Sequence, residues 1–162
     1  MAKLVTGIFS SRPSAELAAE ELVKAGFPRE DISLLLTETT KGREFAVRKS
    51  TKAPEGAATG ATIGGVLGAV AGGLAAVATL SVPGLALVAA GPVVAALTGL
   101  GAGAATGGLT GALIGLGVPE HEAKFYHGEL ASGGILVGVY VHDDRAKVAR
   151  EVLDSAGAEK VT

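Results

Sequence analysis

Cysteine and tryptophan are absent from this 162-residue chain, methionine occurs once, and aromatic residues make up only 4%. Without cysteine there is no disulfide, no thiolate nucleophile and no thiolate-bound metal cluster, and the redox compartment stays open. An excess of either charge is also missing. Fourteen Lys and Arg face sixteen Asp and Glu, for a net charge of −2, so the chain lacks the electrostatic footprint of a nucleic-acid binder. The most telling absence is local. From Gly56 to Pro119, 64 consecutive residues contain no Asp, Glu, Lys, Arg or His, and all 30 Lys, Arg, Asp and Glu fall on the other 98. A sequence of ordinary soluble character is interrupted by one of a different kind. No secretory signal is legible, because Met1 to Phe9 carries one basic residue and too short an apolar run before Ser10-Ser11-Arg12-Pro13.

What is present outside the uncharged stretch reads as alternating strands and helices. Lys3 to Phe9 predicts a strand. Ser11 as cap and Pro13 in the first turn predict a helix over 12–26, with Ala15, Ala18, Leu22 and Ala25 on its apolar face and Gly26 ending it. Ile32 to Leu36 predicts a second strand. Beyond the insert, Pro119 to Leu130 predicts a helix ended by Gly133-Gly134, and Ile135 to His142 a strand. Asp143 or Asp144 is expected to cap a helix to Ala156 with Val148, Val152 and Ala156 inward, before a short strand through Val161.

Shifting the C-terminal part by 131 positions aligns Gly7 with Gly138, Ala15 with Ala146, Ala18 with Ala149, Glu20 with Glu151, Leu22 with Leu153, Ala25 with Ala156 and Gly26 with Gly157. Two β-α-β units follow, and their natural combination is a four-stranded antiparallel sheet with both crossover helices on one face, the ferredoxin-like arrangement.

The insert carries its own repeat. Glycines recur every four residues at Gly56, Gly60, Gly64, Gly68 and Gly72, and again at Gly99, Gly103, Gly107, Gly111 and Gly115, the two series matching at an offset of 43. Between them lie two turn signals, Ser81-Val82-Pro83-Gly84-Leu85 and Gly91-Pro92. The pattern predicts two helical arms, Gly56 to about Leu80 and about Pro92 to Leu116, joined by an irregular or briefly helical bend over 81–92. Each glycine costs a helix about 0.8–1 kcal/mol relative to alanine, so five in one arm require a return, and the return is close helix–helix contact.

Each arm has the length to cross a hydrocarbon layer of about 30 Å. Lys41, Arg43, Arg48, Lys49 and Lys52 precede the first arm while the bend is uncharged, which predicts both termini on the cytoplasmic side and offers those five cations to anionic lipid head groups. Gly/Ala richness and the lack of any aromatic residue from 56 to 119 argue the other way, toward burial of the hairpin by copies of itself.

Chemistry is sparse. His121 and His127 lie six apart, on different sides of a helix, and do not share a metal site. His142-Asp143-Asp144 reads as a helix start. Gly60-Ala61-Thr62-Ile63-Gly64-Gly65 lacks the Gly-Lys-Ser/Thr of a phosphate loop, and no nucleophile, base and orienting acid assemble.

Val5-Thr6-Gly7-Ile8-Phe9, Ala15-Glu16-Leu17-Ala18-Ala19-Glu20-Glu21-Leu22, Ala25-Gly26-Phe27 and Asp31-Ile32-Ser33 resemble the N-terminal domain of bacterial general stress proteins of the heat-induced YflT type. The glycine hairpin, followed by Gly117-Val118-Pro119-Glu120-His121-Glu122-Ala123-Lys124-Phe125-Tyr126 and Gly133-Gly134-Ile135-Leu136-Val137, is similar to relatives that carry such a hairpin. The resemblance covers most of the chain and implies a stress association, not a reaction. In layout alone the chain is also similar to an accessory subunit of bacterial quinol-oxidising membrane complexes.

The resulting expectation is an α+β fold: a ferredoxin-like split β-α-β sandwich interrupted by a long Gly/Ala-rich helical hairpin. Residues 1–38 form its first half, 39–55 a basic linker, 56–118 the glycine-zipper hairpin with two candidate membrane spans, and 119–162 the second half. The expected function is non-enzymatic: a self-associating, membrane-inserted or membrane-associated structural protein in the bacterial cytoplasmic membrane, with no cofactor and no metal. Its partners are copies of itself and membrane lipid, not nucleic acid. The alternatives are a cytoplasmic homo-oligomer with the hairpins in its core, or a small-ligand sensor or accessory subunit of a membrane complex, with no ligand named by the sequence.

Overall fold

The structure is a computed structural model that describes residues 2–37, 40, 77–82, 85–92 and 101–162. Its elements in chain order are β1 (Ala2–Phe9), α1 (Arg12–Lys24), β2 (Ile32–Thr37), β3 (Val77–Val82), β4 (Leu85–Ala90), α2 (Gly101–Gly115), α3 (Glu120–Ala131), β5 (Ile135–His142), α4 (Ala146–Ser155) and β6 (Lys160–Val161). All six strands form one sheet in the order β3-β4-β2-β5-β1-β6, and every neighbouring pair is antiparallel. The chain is thus α+β, as its sequence predicts.

Strand alternation divides the sheet's side chains between two cores. Val5 and Phe9 of β1, Ile32, Leu34 and Leu36 of β2, and Ile135, Val137, Val139 and Val141 of β5 share one core with Ala15, Ala18 and Leu22 of α1 and Ala146, Ala149 and Leu153 of α4. Ile8, Leu35 and Leu136, from the intervening positions, share the other with Leu109, Ala112 and Leu113 of α2 and Ala123, Tyr126 and Leu130 of α3. The two crossover helices lie on one face, but the expected two layers are three. The reason is in β2: Ile32 to Thr37 is buried at every position, and a strand apolar toward both faces needs cover on both. The insert supplies part of that cover, so it is built into the core and is not an appendage to a finished domain.

The 131-residue repeat has a conformational counterpart at the helix ends. In α1 the Gly26 N–H donates to Val23 O and the Phe27 N–H to Leu22 O; in α4 the Gly157 N–H donates to Asp154 O and the Ala158 N–H to Leu153 O. Gly26 and Gly157 adopt φ of 88° and 95°, the left-handed conformation this double closure demands.

Several local expectations are corrected. Residues 77–80, expected at the end of a helical arm, belong to β3, and the expected bend over 81–92 holds the rest of β3 and all of β4. The run Val-Ala-Thr-Leu-Ser-Val, broken by Pro83-Gly84, has the β-branched content of a strand, and Val82 pairs directly with Leu85. Asp143 and Asp144 enter a 3-10 turn without capping α4 by a side-chain bond, and Asp143 pairs instead with Lys3 at 2.8 Å. Ser11 occupies the N-cap of α1, but its hydroxyl bonds Ser14 Oγ at 3.1 Å and caps no backbone N–H. Of the three residues expected inward on α4, Ala156 is buried and Val152 packs half-buried against the core, but Val148 is 40% exposed; the fully buried positions of the helix are Ala146, Ala149 and Leu153.

Truncating either core should therefore destabilise the fold. Leu153→Ala and Leu113→Ala are each expected to cost about 2–5 kcal/mol, against no more than about 0.5 kcal/mol for Leu17→Ala at an exposed position of α1. Chemical denaturation of the three variants measures this, and a neutral Leu113→Ala would remove α2 from the core.

Candidate functional site

Of the ten periodic glycines, Gly56, Gly60, Gly64, Gly68, Gly72 and Gly99 lie outside the described residues, as do Lys41, Arg43, Arg48, Lys49 and Lys52. Gly103, Gly107, Gly111 and Gly115 lie in α2. That helix is 15 residues long, about 22 Å at 1.5 Å per residue, and Gly108 interrupts it with a non-helical φ of 58° and ψ of −150°. The spacing by four is therefore not one continuous row: the backbone changes course between Gly107 and Gly111. Among the described residues, no helix is long and apolar enough to cross a membrane.

Beyond the interruption the orientation of α2 is well defined. Leu109, Ala112 and Leu113 are buried on the sheet. Thr110 Oγ1 lies 3.2 Å from His127 Nδ1 and so faces α3. At about 100° per residue, Gly111 lies about 100° and Gly115 about 140° around the helix from Thr110, both on the outward side relative to Leu109 and Leu113. Gly111 is half-buried and Gly115 exposed. The side-chain-free part of α2 thus looks outward, away from its neighbour helix.

His121, His127 and Asp143 have structural partners. His121 Nε2 is 3.6 Å from Glu122 Oε1, His127 meets Thr110, and Asp143 meets Lys3. Among the described residues, no group of three or more His, Asp or Glu is placed to hold a metal ion.

The most developed polar cluster escaped the sequence reading. Tyr126 is fully buried beneath the sheet, and its hydroxyl lies 3.3 Å from Thr6 Oγ1 and 2.6 Å from Thr162 Oγ1. Thr162 in turn donates to a Glu122 carboxylate oxygen. Because Thr162 spends its one hydroxyl proton on Glu122, it accepts from Tyr126, whose O–H also lies within 3.3 Å of the Thr6 carbonyl oxygen, while the Thr6 hydroxyl donates to Tyr126. Burial pushes the Tyr126 hydroxyl above its ordinary range, so it stays a neutral donor. The Thr162 N–H also donates to Thr6 O at 2.9 Å, and the Lys160 ammonium sits 5.5 Å from the Phe125 ring centroid. Together these contacts pin the last strand to α3. The Tyr126–Glu122 spacing of four was visible in the sequence; the partners Thr6 and Thr162, 120 and 36 residues away, carried no local signal.

One member of this seam titrates unusually. Burial, and then the hydrogen-bonded neighbour Glu159, push the Glu129 carboxyl above the usual carboxylate range. A folded-state pKa above the unfolded value means that the native state holds the proton more tightly. The resulting stabilisation is complete below the ordinary carboxylate pKa and is lost as pH rises through the raised one. Urea midpoints of the wild type are expected to fall across that window more than those of Glu129→Gln, which has no proton to lose. Equal pH profiles would dismiss the seam as a titrating element.

No protein-family model matches the chain, and neither a curated protein nor a solved structure matches it.

Proposed function

We propose that this chain is a non-enzymatic protein that assembles with copies of itself through the glycine-bearing flank of α2. The observation that carries the reading is the placement of Gly111 and Gly115 on the side of α2 that faces neither the sheet nor α3, while Leu109, Ala112 and Leu113 hold the helix in place. Glycine weakens a helix by about 0.8–1 kcal/mol, so glycines on an exposed flank oppose stability unless another backbone approaches there. The domain that presents α2 reads as ferredoxin-like: β6-β1-β5-β2 is the order that two interlocked β-α-β units adopt, and α1 and α4 lie on one face of it. The likeness to bacterial general stress proteins gives this assembly a setting, a role in stress, without a reaction.

A membrane setting belongs to the proposal through the basic cluster from Lys41 to Lys52, whose cations would meet anionic lipid head groups at about 1 kcal/mol each. Copies joined through α2 present that cluster several times over.

The double substitution Gly111→Leu and Gly115→Leu tests the reading. Side chains on that flank would hold a neighbouring backbone away, and the protein is expected to shift to smaller species in light scattering coupled to size exclusion, with unchanged circular dichroism. An unchanged assembly size with the fold intact would remove α2 from the interface.

A further inference from the structure

The two margins of the sheet are built differently. One is β6, two residues long, with Lys160 in it and Glu159 just before it. Short length and charge are the usual means of stopping a sheet from growing. The other margin is β3, six residues of sequence Val-Ala-Thr-Leu-Ser-Val with neither charge nor proline. It pairs along its whole length with β4 on one side, and among the described residues no strand pairs with its other side.

We propose that the occupant of the β3 margin is the β3 of a second copy of this chain, joined antiparallel across a two-fold axis into one continuous twelve-stranded sheet. The inference rests on the self-association reading and gives it a location. Two arguments favour a copy over a different partner. First, the strand is compatible with itself: in a symmetric antiparallel pairing centred on Thr79, Thr79 stands opposite its own counterpart, Ala78 opposite Leu80 and Val77 opposite Ser81, and no like charges meet. Second, α2 lies against β3 on the same sheet. Its Thr110 flank is taken by α3, so the outward flank with Gly111 and Gly115 lies on the side of α2 turned from α3. Joining two β3 strands brings two α2 helices to adjacent positions on one face with their glycine flanks toward each other. A six-residue edge alone falls short of the roughly 1,200–2,000 Å² of a stable interface, and the helix contact extends it.

The absence of cysteine from the chain makes the test clean. In the full-length protein, Thr79→Cys places single thiols of two copies next to each other near the axis. Mild oxidation is expected to give a disulfide-linked dimer in at least tenfold greater yield than Glu151→Cys on α4, which reports random collision. Thr79→Lys, which puts like charges on both sides of the axis, is expected to weaken association at least tenfold with unchanged circular dichroism. If Thr79→Lys disturbs folding, the disulfide yield decides. A wild type that is monomeric at all concentrations would overturn both this inference and the self-association reading. A wild type that assembles, and that Gly111→Leu with Gly115→Leu disperses, but that gives no disulfide above the control would overturn the β3 pairing alone.

Discussion

Everything in this molecule hangs on the pairing of β1 with β5. Eight successive residue pairs, from Ala2 with His142 to Phe9 with Ile135, join two interior strands of the sheet that come from opposite ends of the chain. Each strand carries a helix that returns over the same face, so α1 and α4 meet only because their strands do. The register is fixed by alternation. A slip of β1 by one residue would turn Val5 and Phe9 toward α3 and present Thr6 and Ile8 to the α1–α4 core. Gly138 itself reflects the closeness of the match, since a Cβ there would stand 3.1 Å from the Leu4 side chain and 3.3 Å from that of Thr6.

The second constraint is that the sheet is apolar on both faces. One face is met by helices that belong to the repeated units. The other is met by α2 and α3, which have no counterpart in the repeat, and the chain between β2 and β5 exists in part to deliver them. Arg145 binds the repeated units together on the first face: its guanidinium donates to Ala25 O at 2.6 Å and to Gly26 O at 3.2 Å, at the carbonyl end of α1, and stacks 4.2 Å from the Phe27 ring centroid. A cation at the negative end of a helix, over an aromatic face, draws on two favourable terms at once.

The outer parts of the chain were legible because their signals are local. Pro13, Gly26, Gly133 and Gly157 mark ends of elements by what their backbones can do, and the 131-residue offset ties the two halves together in the sequence itself. The insert was read less well, since periodic glycines predict two helical arms but say nothing of where each arm stops being helical. Val77 to Ala90 is uncharged like its surroundings, and only its Val, Thr and Leu content around Pro83-Gly84 distinguished strand from arm. The Tyr126 cluster was illegible for a different reason. Hydrogen-bond partners separated by 120 residues become neighbours through the sheet register, which no spacing in the sequence encodes.

The distance along the chain between β1 and β5 also sets an order of events during synthesis. Phe9 and Ile135, partners in the finished sheet, are separated by more than a hundred residues. At about 5–20 residues per second, several seconds to tens of seconds pass between the emergence of β1 and that of its partner. Throughout that interval Ile8, Phe9, Leu34 and Leu36, all buried in the finished fold, have no β5 to rest on. The time for which those side chains stay uncovered grows with every residue inserted between the two halves.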